Sequence, residues 1–182
     1  FLTSLIALNK LGAIAALINT NLTGLPLIHC IKIANSKMCI FGEERLQEIV
    51  DVKSNPGLEC IKNWLFVKDT GEQPCPKWAI NLEEGTADDT NPAQTNRNTL
   101  ATVALYMYTS GTTGLPKAAV ITNRRFLLSS TLSYKGGIKC KENDCIYLCL
   151  PLYHGTGLFL GAGAAFSSGA CMFIRRRFSG SN

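Results

Sequence analysis

Apolar positions switch between two spacings along the first third of the chain. Leu2, Leu5, Ile6 and Leu8 share one helical face, and Gly12 closes that run. Ala13 to Ile18 then reads as a short, wholly apolar strand. Helical spacing returns at Leu25, Ile28, Ile31 and Lys32 within 25–34, and Met38 to Phe41 follows as a second apolar strand. Glu43 to Val52 has helical character, with acidic residues in its first turn where the helix dipole favours them. Trp64 to Val67 makes a third strand. Helices alternating with short buried strands predict an α/β fold, its strands mostly parallel and covered on both faces.

From Asp69 to Leu100 the rhythm breaks. Three prolines, many Asn, Asp and Thr residues and little apolar periodicity predict a long surface connection, with one short helix near Leu82 to Glu84. It is expected to join two subregions of one domain, since unstructured loops of this length are uncommon in compact domains unless functional or mobile. Order resumes with a strand at Val103 to Tyr108 and another at Ala118 to Ile121. Thr122 or Asn123 is a suitable N-cap for a helix from Arg124 to Tyr134. A strand at Asp144 to Leu150, a small-residue helix from about Thr156 to Ser168 and a strand at Ala170 to Ile174 complete the pattern, with no internal repeat.

Composition narrows the class without naming a function. The 182 residues are 46% hydrophobic and 17% charged, as in a globular protein. A net charge of +5 suits an anionic substrate or an acidic membrane surface, although a solvated basic surface explains it as well. The dense Lys/Arg clusters of a nucleic-acid binder are missing. Eight cysteines without C-x-x-C spacing and two histidines argue against a zinc site and predict reduced, buried thiols. Phe1 to Ile18 and Gly157 to Phe173 are apolar, but Asn9 and Lys10 interrupt the first and the second is short for a span. A lysine at mid-bilayer costs about 2.5–3.5 kcal/mol, so buried elements are the expectation for both. The start at Phe1 and the Ser-Gly-Ser-Asn ending are those expected of an internal fragment.

The chemistry concentrates in Tyr108-Thr-Ser-Gly-Thr-Thr-Gly-Leu-Pro-Lys117. A Walker loop requires Gly-Lys-Ser/Thr opening onto a helix, whereas here Leu115 and Pro116 separate Gly114 from Lys117 and a strand follows. The parts of a phosphate cradle are nonetheless present. Gly111 and Gly114 allow successive N–H groups to converge on one anion. Thr109, Ser110, Thr112 and Thr113 offer hydroxyl donors, and Lys117 offers charge. A Ser/Thr-rich hairpin loop has the same composition, so composition leaves both readings open.

The ten residues resemble the signature of the adenylate-forming enzymes: acyl-CoA synthetases, luciferases and peptide-synthetase adenylation domains. Ala15-Ala-Leu-Ile-Asn-Thr-Asn21, His29-Cys30, the extended form from Tyr106 to Ala119, Cys149-Leu-Pro-Leu-Tyr-His154 and Ile174-Arg-Arg-Arg-Phe-Ser179 resemble one branch, the fatty acid transport proteins, which are very-long-chain acyl-CoA synthetases. The resemblance covers nearly the whole chain and is weakest over 69–100. It implies part of the large amino-terminal domain of such an enzyme, with no carboxy-terminal lid in these residues. It also implies two-step chemistry. A fatty acid carboxylate attacks the α-phosphorus of ATP, with Mg2+ sharing the phosphate charge, and coenzyme A then displaces AMP.

By the same resemblance, Tyr106, Tyr108, Thr109, Ser110, Gly111, Thr112, Thr113, Gly114 and Lys117 are the nucleotide-binding set, and His154 borders the acyl and adenylate pocket. A histidine simply packed at a strand end is the plainer alternative for His154. General-base work is not expected of it, because a fatty acid carboxylate is already ionised near neutral pH. His29, on an apolar helix, is expected to be structural. Arg175 to Arg177 suit acidic lipids or a solvated strand end. No catalytic set is complete. The magnesium-site glutamate, the ribose aspartate and the lid lysine have no counterparts in these residues, so they are expected to be inactive alone. The resemblance further implies a fatty acid substrate and membrane association, with the catalytic domain in the cytosol at the endoplasmic reticulum or plasma membrane. Two other functions compete with a ligase coupled to uptake: a fatty acid transporter with a regulatory nucleotide loop, and a non-catalytic nucleotide-binding module.

Overall fold

The computed structural model describes residues 1–85, 90–109 and 114–175. Its elements begin with helix α1 (Leu2–Lys10), strand β1 (Ala15–Leu17), α2 (Gly24–Ile33), β2 (Met38–Gly42), α3 (Leu46–Val52), β3 (Asn63–Val67) and β4 (Ile80–Asn81). They continue with β5 (Val103–Thr109), β6 (Lys117–Thr122), α4 (Asn123–Leu132), β7 (Cys145–Leu148), α5 (Ala164–Ser168) and β8 (Cys171–Ile174). The chain divides into two compact units, one of Phe1–Leu17, Asn91–Met107 and Ala119–Asn182, the other of Ile18–Thr90 and Tyr108–Ala118.

In the first unit β5 lies between β1 and β6. It runs parallel to β1, with Ala15 opposite Leu105 and Leu17 opposite Met107. Ala104, Leu105 and Met107 are all buried, so β5 is covered on both faces, which explains why it reads as an apolar run rather than an alternation. Leu17, Ile121, Leu148 and Leu158 close the same core. Strands β7 and β8 form a second, two-stranded parallel sheet. Thr122 caps α4 as expected, its hydroxyl oxygen accepting the Arg125 N–H at 3.3 Å. The helix ends earlier than the periodicity predicts, at Leu132, and continues as a π-helical turn, Ser133–Gly137. The expected helix over 156–168 is π-helical from Thr156 to Gly163 and α-helical only from Ala164. Apolar spacing cannot separate these forms, because both place small apolar residues on the packed side.

The second unit is built on a parallel sheet of order β2-β3-β4, with Met38 opposite Asn63, Gly42 opposite Val67 and Leu65 opposite Ile80. The parallel pairing expected from the sequence is therefore present, but it is distributed over three sheets. Leu27 and Ile31 of α2, Ile49 and Val52 of α3, and Phe41 and Phe66 of the sheet make its core. Phe41 stacks on Trp78 with centroids 5.7 Å apart and meets Phe66 edge-on at 5.7 Å. The 69–100 segment holds β4 and two 3-10 turns, Leu82–Glu84 and Ala93–Arg97.

Glu43 departs from its expected role. It lies in a 3-10 turn, Glu43–Arg45, before α3, and its carboxylate is buried against residues 69–73 instead of serving the helix dipole. Oε2 accepts the N–H groups of Asp69 (2.8 Å) and Gly71 (2.9 Å), and Oε1 accepts the Gln73 N–H (2.6 Å) and the Thr70 hydroxyl (3.1 Å). Chiefly through the Gly71 N–H, and against the opposing effect of burial, this cradle holds the carboxyl below its ordinary value of 4.5. A group with a depressed folded-state pKa stabilises fully above its unfolded value and loses that contribution as pH falls through the folded one. Glu43→Gln is therefore expected to lower the melting temperature at pH 7, with the gap to wild type closing below about pH 4.5. Thermal melts of both proteins from pH 7 to pH 3 check this.

The thiols also differ in part from expectation. Cys30 and Cys140 are buried, but Cys145, Cys149 and Cys171 are exposed. Among the described residues no helix is long and apolar enough to cross a membrane.

Candidate functional site

Ser110, Gly111, Thr112 and Thr113, the centre of the proposed phosphate loop, lie outside the described residues, as do Arg176 and Arg177. The residues on either side are described, and they belong to the second unit. On the entering side, β5 ends with Tyr108 half-buried and Thr109 exposed. The Tyr108 hydroxyl donates to the Cys30 carbonyl at 2.7 Å. On the leaving side Gly114 has φ +86°, a left-handed conformation that a side chain would strain. Pro116 follows, and the His29 ring pairs with its carbonyl oxygen through Nε2 at 3.0 Å, which makes Nε2 the protonated donor. Lys117 opens β6 with its side chain exposed.

Both flanks are thus tied to consecutive residues of one helix, His29 and Cys30 of α2. Each such bond is worth about 0.5–1.5 kcal/mol net. Two of them on opposite sides limit how far the flanks can separate. His29 is structural, as expected, but its structural task is at the loop. Nothing in the sequence links it to Pro116, 87 positions away. Tyr108, expected to serve the nucleotide, has its hydroxyl engaged with α2. Cys30 is fully buried, and burial pushes its thiol up to about 11, so it is an inert wall of this arrangement.

Tyr106 and His154 belong to the first unit. Tyr106 is half-buried on β5, opposite Ala16 of β1. His154 is exposed after β7, where a turn carries its N–H to the Pro151 carbonyl at 3.1 Å. The Thr156 N–H donates to its Nδ1 at 3.3 Å, and the Thr156 hydroxyl is 3.1 Å from the same atom. Nδ1 is therefore the acceptor, and in the neutral ring the proton sits on Nε2.

This corner closes on Gly157. A Cβ there would collide with the Pro151 carbonyl oxygen and come within 2.8 Å of that of Leu150. Gly157→Ala must push the 150–154 segment away from the π-helical turn. It is expected to cost roughly 1–3 kcal/mol, as overpacking does. Urea denaturation of the variant checks the loss, and the His154 ring resonances should shift with it.

The first unit also has a half-open apolar groove of about 690 Å3, lined by Leu2, Leu5, Ile6, Phe126, Leu127 and Phe166. No candidate site residue lines it. No group of three His, Cys, Asp or Glu side chains among the described residues is placed to hold a metal ion. No closed metal site built from protein side chains alone is therefore found among the described residues.

Short parallel strands covered by helices, with a hydroxyl- and glycine-rich segment between two of them, make an α/β domain, and its structural neighbours are amino-terminal domains of adenylate-forming enzymes. The profile of the AMP-binding enzyme family matches residues 1–181, and the chain belongs to that family. It is 34% identical over 175 residues to long-chain fatty acid transport protein 6 of Mus musculus, covering 96% of this chain and 28% of the relative. It is 30% identical over 178 residues to the medium/long-chain-fatty-acid–CoA ligase FadD6 of Mycobacterium tuberculosis, covering 98% and 28%. The chain thus spans less than a third of the length of these relatives. Among solved structures, it matches a Mycobacterium tuberculosis fatty acyl CoA synthetase with a TM-score of 0.78 at 23% identity, over 96% of this chain and 32% of that one. It matches the inhibitor-bound N-terminal domain of FACL13 from the same organism with a TM-score of 0.77 at 25% identity, over 96% and 40%.

Proposed function

We propose that these residues form the loop-bearing part of the adenylation domain of a long- or very-long-chain fatty acid–CoA ligase. The carrying observation is that the signature segment of an AMP-binding family member has both flanks bound to α2. A segment held at both ends can present its N–H and hydroxyl donors to the β- and γ-phosphates before the reaction. Such preorganisation stabilises charge on departing pyrophosphate without reorganisation during the step.

The fatty acid carboxylate attacks the α-phosphorus already ionised, so no residue need act as a general base. Lys117 supplies positive charge beside the phosphates, and His154 borders the acyl-adenylate. ATP as its magnesium complex and coenzyme A as the acyl acceptor complete the substrate set. The 182 residues by themselves are expected to be inactive, and the longer protein to associate with a membrane, its catalytic domain facing the cytosol.

Fatty-acid-dependent exchange of labelled pyrophosphate into ATP, measured on a full-length protein carrying these residues, tests the reading. Exchange with oleate, followed by oleoyl-CoA formation once coenzyme A is added, is the expected result. Absence of exchange with every fatty acid from medium to very long chain would sink it.

A second reading rests on the relatives named as fatty acid transport proteins. Here the nucleotide loop regulates direct transport. If Thr112→Ala abolishes thioester formation and leaves fatty acid uptake intact in cells, transport is separable from ligation. Loss of both supports uptake by trapping the acid as its thioester.

A further inference from the structure

The first unit carries a pair of exposed thiols that the proposed ligase chemistry does not use. Cys145 opens β7 and Cys171 opens β8, and the two residues are direct register partners in the parallel pair. The Cys171 N–H donates to the Asp144 carbonyl at 2.9 Å, which pins that end of the ladder. Registered residues on neighbouring strands project to the same face, and every second residue returns to it. Two positions further on, Tyr147 and Phe173 stack with centroids 5.6 Å apart and planes at 22°. That stack independently places Cys145 and Cys171 on one face, the solvent-exposed one. Met172, on the alternate face, packs against the core.

Neighbouring strands stand about 4.7–4.9 Å apart, inside the roughly 4.4–6.8 Å window of Cα separations that a disulfide spans. We propose that Cys145 and Cys171 are a covalent modification site, a dithiol that closes to a cross-strand disulfide by exchange with a small-molecule disulfide such as glutathione disulfide. A hydrogen bond with the neighbouring Cys171 thiol raises the Cys145 pKa. The exchange can begin at either sulfur, for example at Cys171. The Cys171 thiolate displaces one glutathione thiolate and forms a mixed disulfide. The Cys145 thiolate then attacks the Cys171 sulfur and expels the second. Two protein thiols are oxidised, one glutathione disulfide is reduced to two glutathiones, and the two protons released go to the glutathione thiolates. The Cβ atoms of such a pair stand nearer the strand spacing than the usual disulfide value of about 3.8 Å. Closure therefore draws the strands together, and a bond of this kind is readily reduced again.

The test equilibrates the protein with glutathione disulfide, quenches in acid, alkylates the remaining thiols and maps unreduced peptides by mass spectrometry. The expected result is one peptide pair joined through Cys145 and Cys171, with loss of those two alkylatable thiols and their return on adding dithiothreitol. In Cys145→Ser the second step cannot occur, so glutathione should remain on Cys171. Wild type oxidised in denaturant should give scrambled pairs, which shows that the folded register directs the pairing. Independent glutathione adducts on Cys145 and Cys171 in the folded wild type would overturn the proposal. So would full alkylation of both while exposed Cys149 reacts.

Discussion

Phe66→Ala is expected to remove about 3–5 kcal/mol of stability, the usual loss for a fully buried aromatic side chain. Phe66 is 1% exposed, on the middle strand of the β2-β3-β4 sheet, and packs edge-on against Phe41. Aromatic pairing adds about 0.5–1.5 kcal/mol to its area burial. Since whole domains are stable by only about 5–15 kcal/mol, this change consumes a large part of the margin. The effect should reach the loop. Leu27 and Ile31 of α2 share the core with Phe66, and the same helix holds Tyr108 and Pro116 through Cys30 and His29. Urea denaturation reads the stability, and amide exchange over 108–117 reads the coupling. Phe66→Leu, which keeps most of the volume, should lose much less. Equal losses for Ala and Leu would mean that packing at this site is not what holds the unit together.

Lys117→Ala is expected to lower the rate of adenylate formation in a full-length enzyme by about 10²–10³-fold, the effect of deleting one donor to a developing anion. The residue lies at the start of β6 with its side chain exposed, so the fold should be indifferent to the change. Exposed substitutions of this kind usually stay within about 0.5 kcal/mol. A fall in pyrophosphate exchange with an unchanged melting temperature is therefore the expected signature. Lys117→Arg, which keeps the charge in a different geometry, should recover part of the rate. An unaltered exchange rate in Lys117→Ala would remove the residue from the phosphate site.

Much of this was legible in the residues themselves. The helical face of Leu2, Leu5, Ile6 and Leu8 and the apolar runs around Ala15, Phe41 and Phe66 specify local structure, because burial against one neighbour demands that spacing. Thr122 marks a helix start because its hydroxyl can satisfy an N–H that the helix leaves free. The segment from Tyr108 to Lys117 points to the family through its resemblance to a known signature, since its glycine and hydroxyl content alone fits a hairpin loop equally well. Those signals are local, each contained within about ten residues.

What escaped was long-range or a matter of degree. Glu43 reads as a helix-dipole residue until the chain folds residues 69–73 onto its carboxylate. The π-helical turn beside His154 shares its small apolar composition with an α-helix, and only its i→i+5 hydrogen bonding in the folded chain separates them. Cys145 and Cys171 look like ordinary strand residues until β7 and β8 pair in register. The α/β alternation, the capped start of α4 and the signature segment follow from the residues alone, because spacing, capping and motif act between near neighbours. Only the tertiary structure decided that His29 and Tyr108 tie both flanks of that segment to α2. Such tethers depend on which distant backbone atoms the packed core brings within hydrogen-bond reach, and no pattern along the chain encodes that distance.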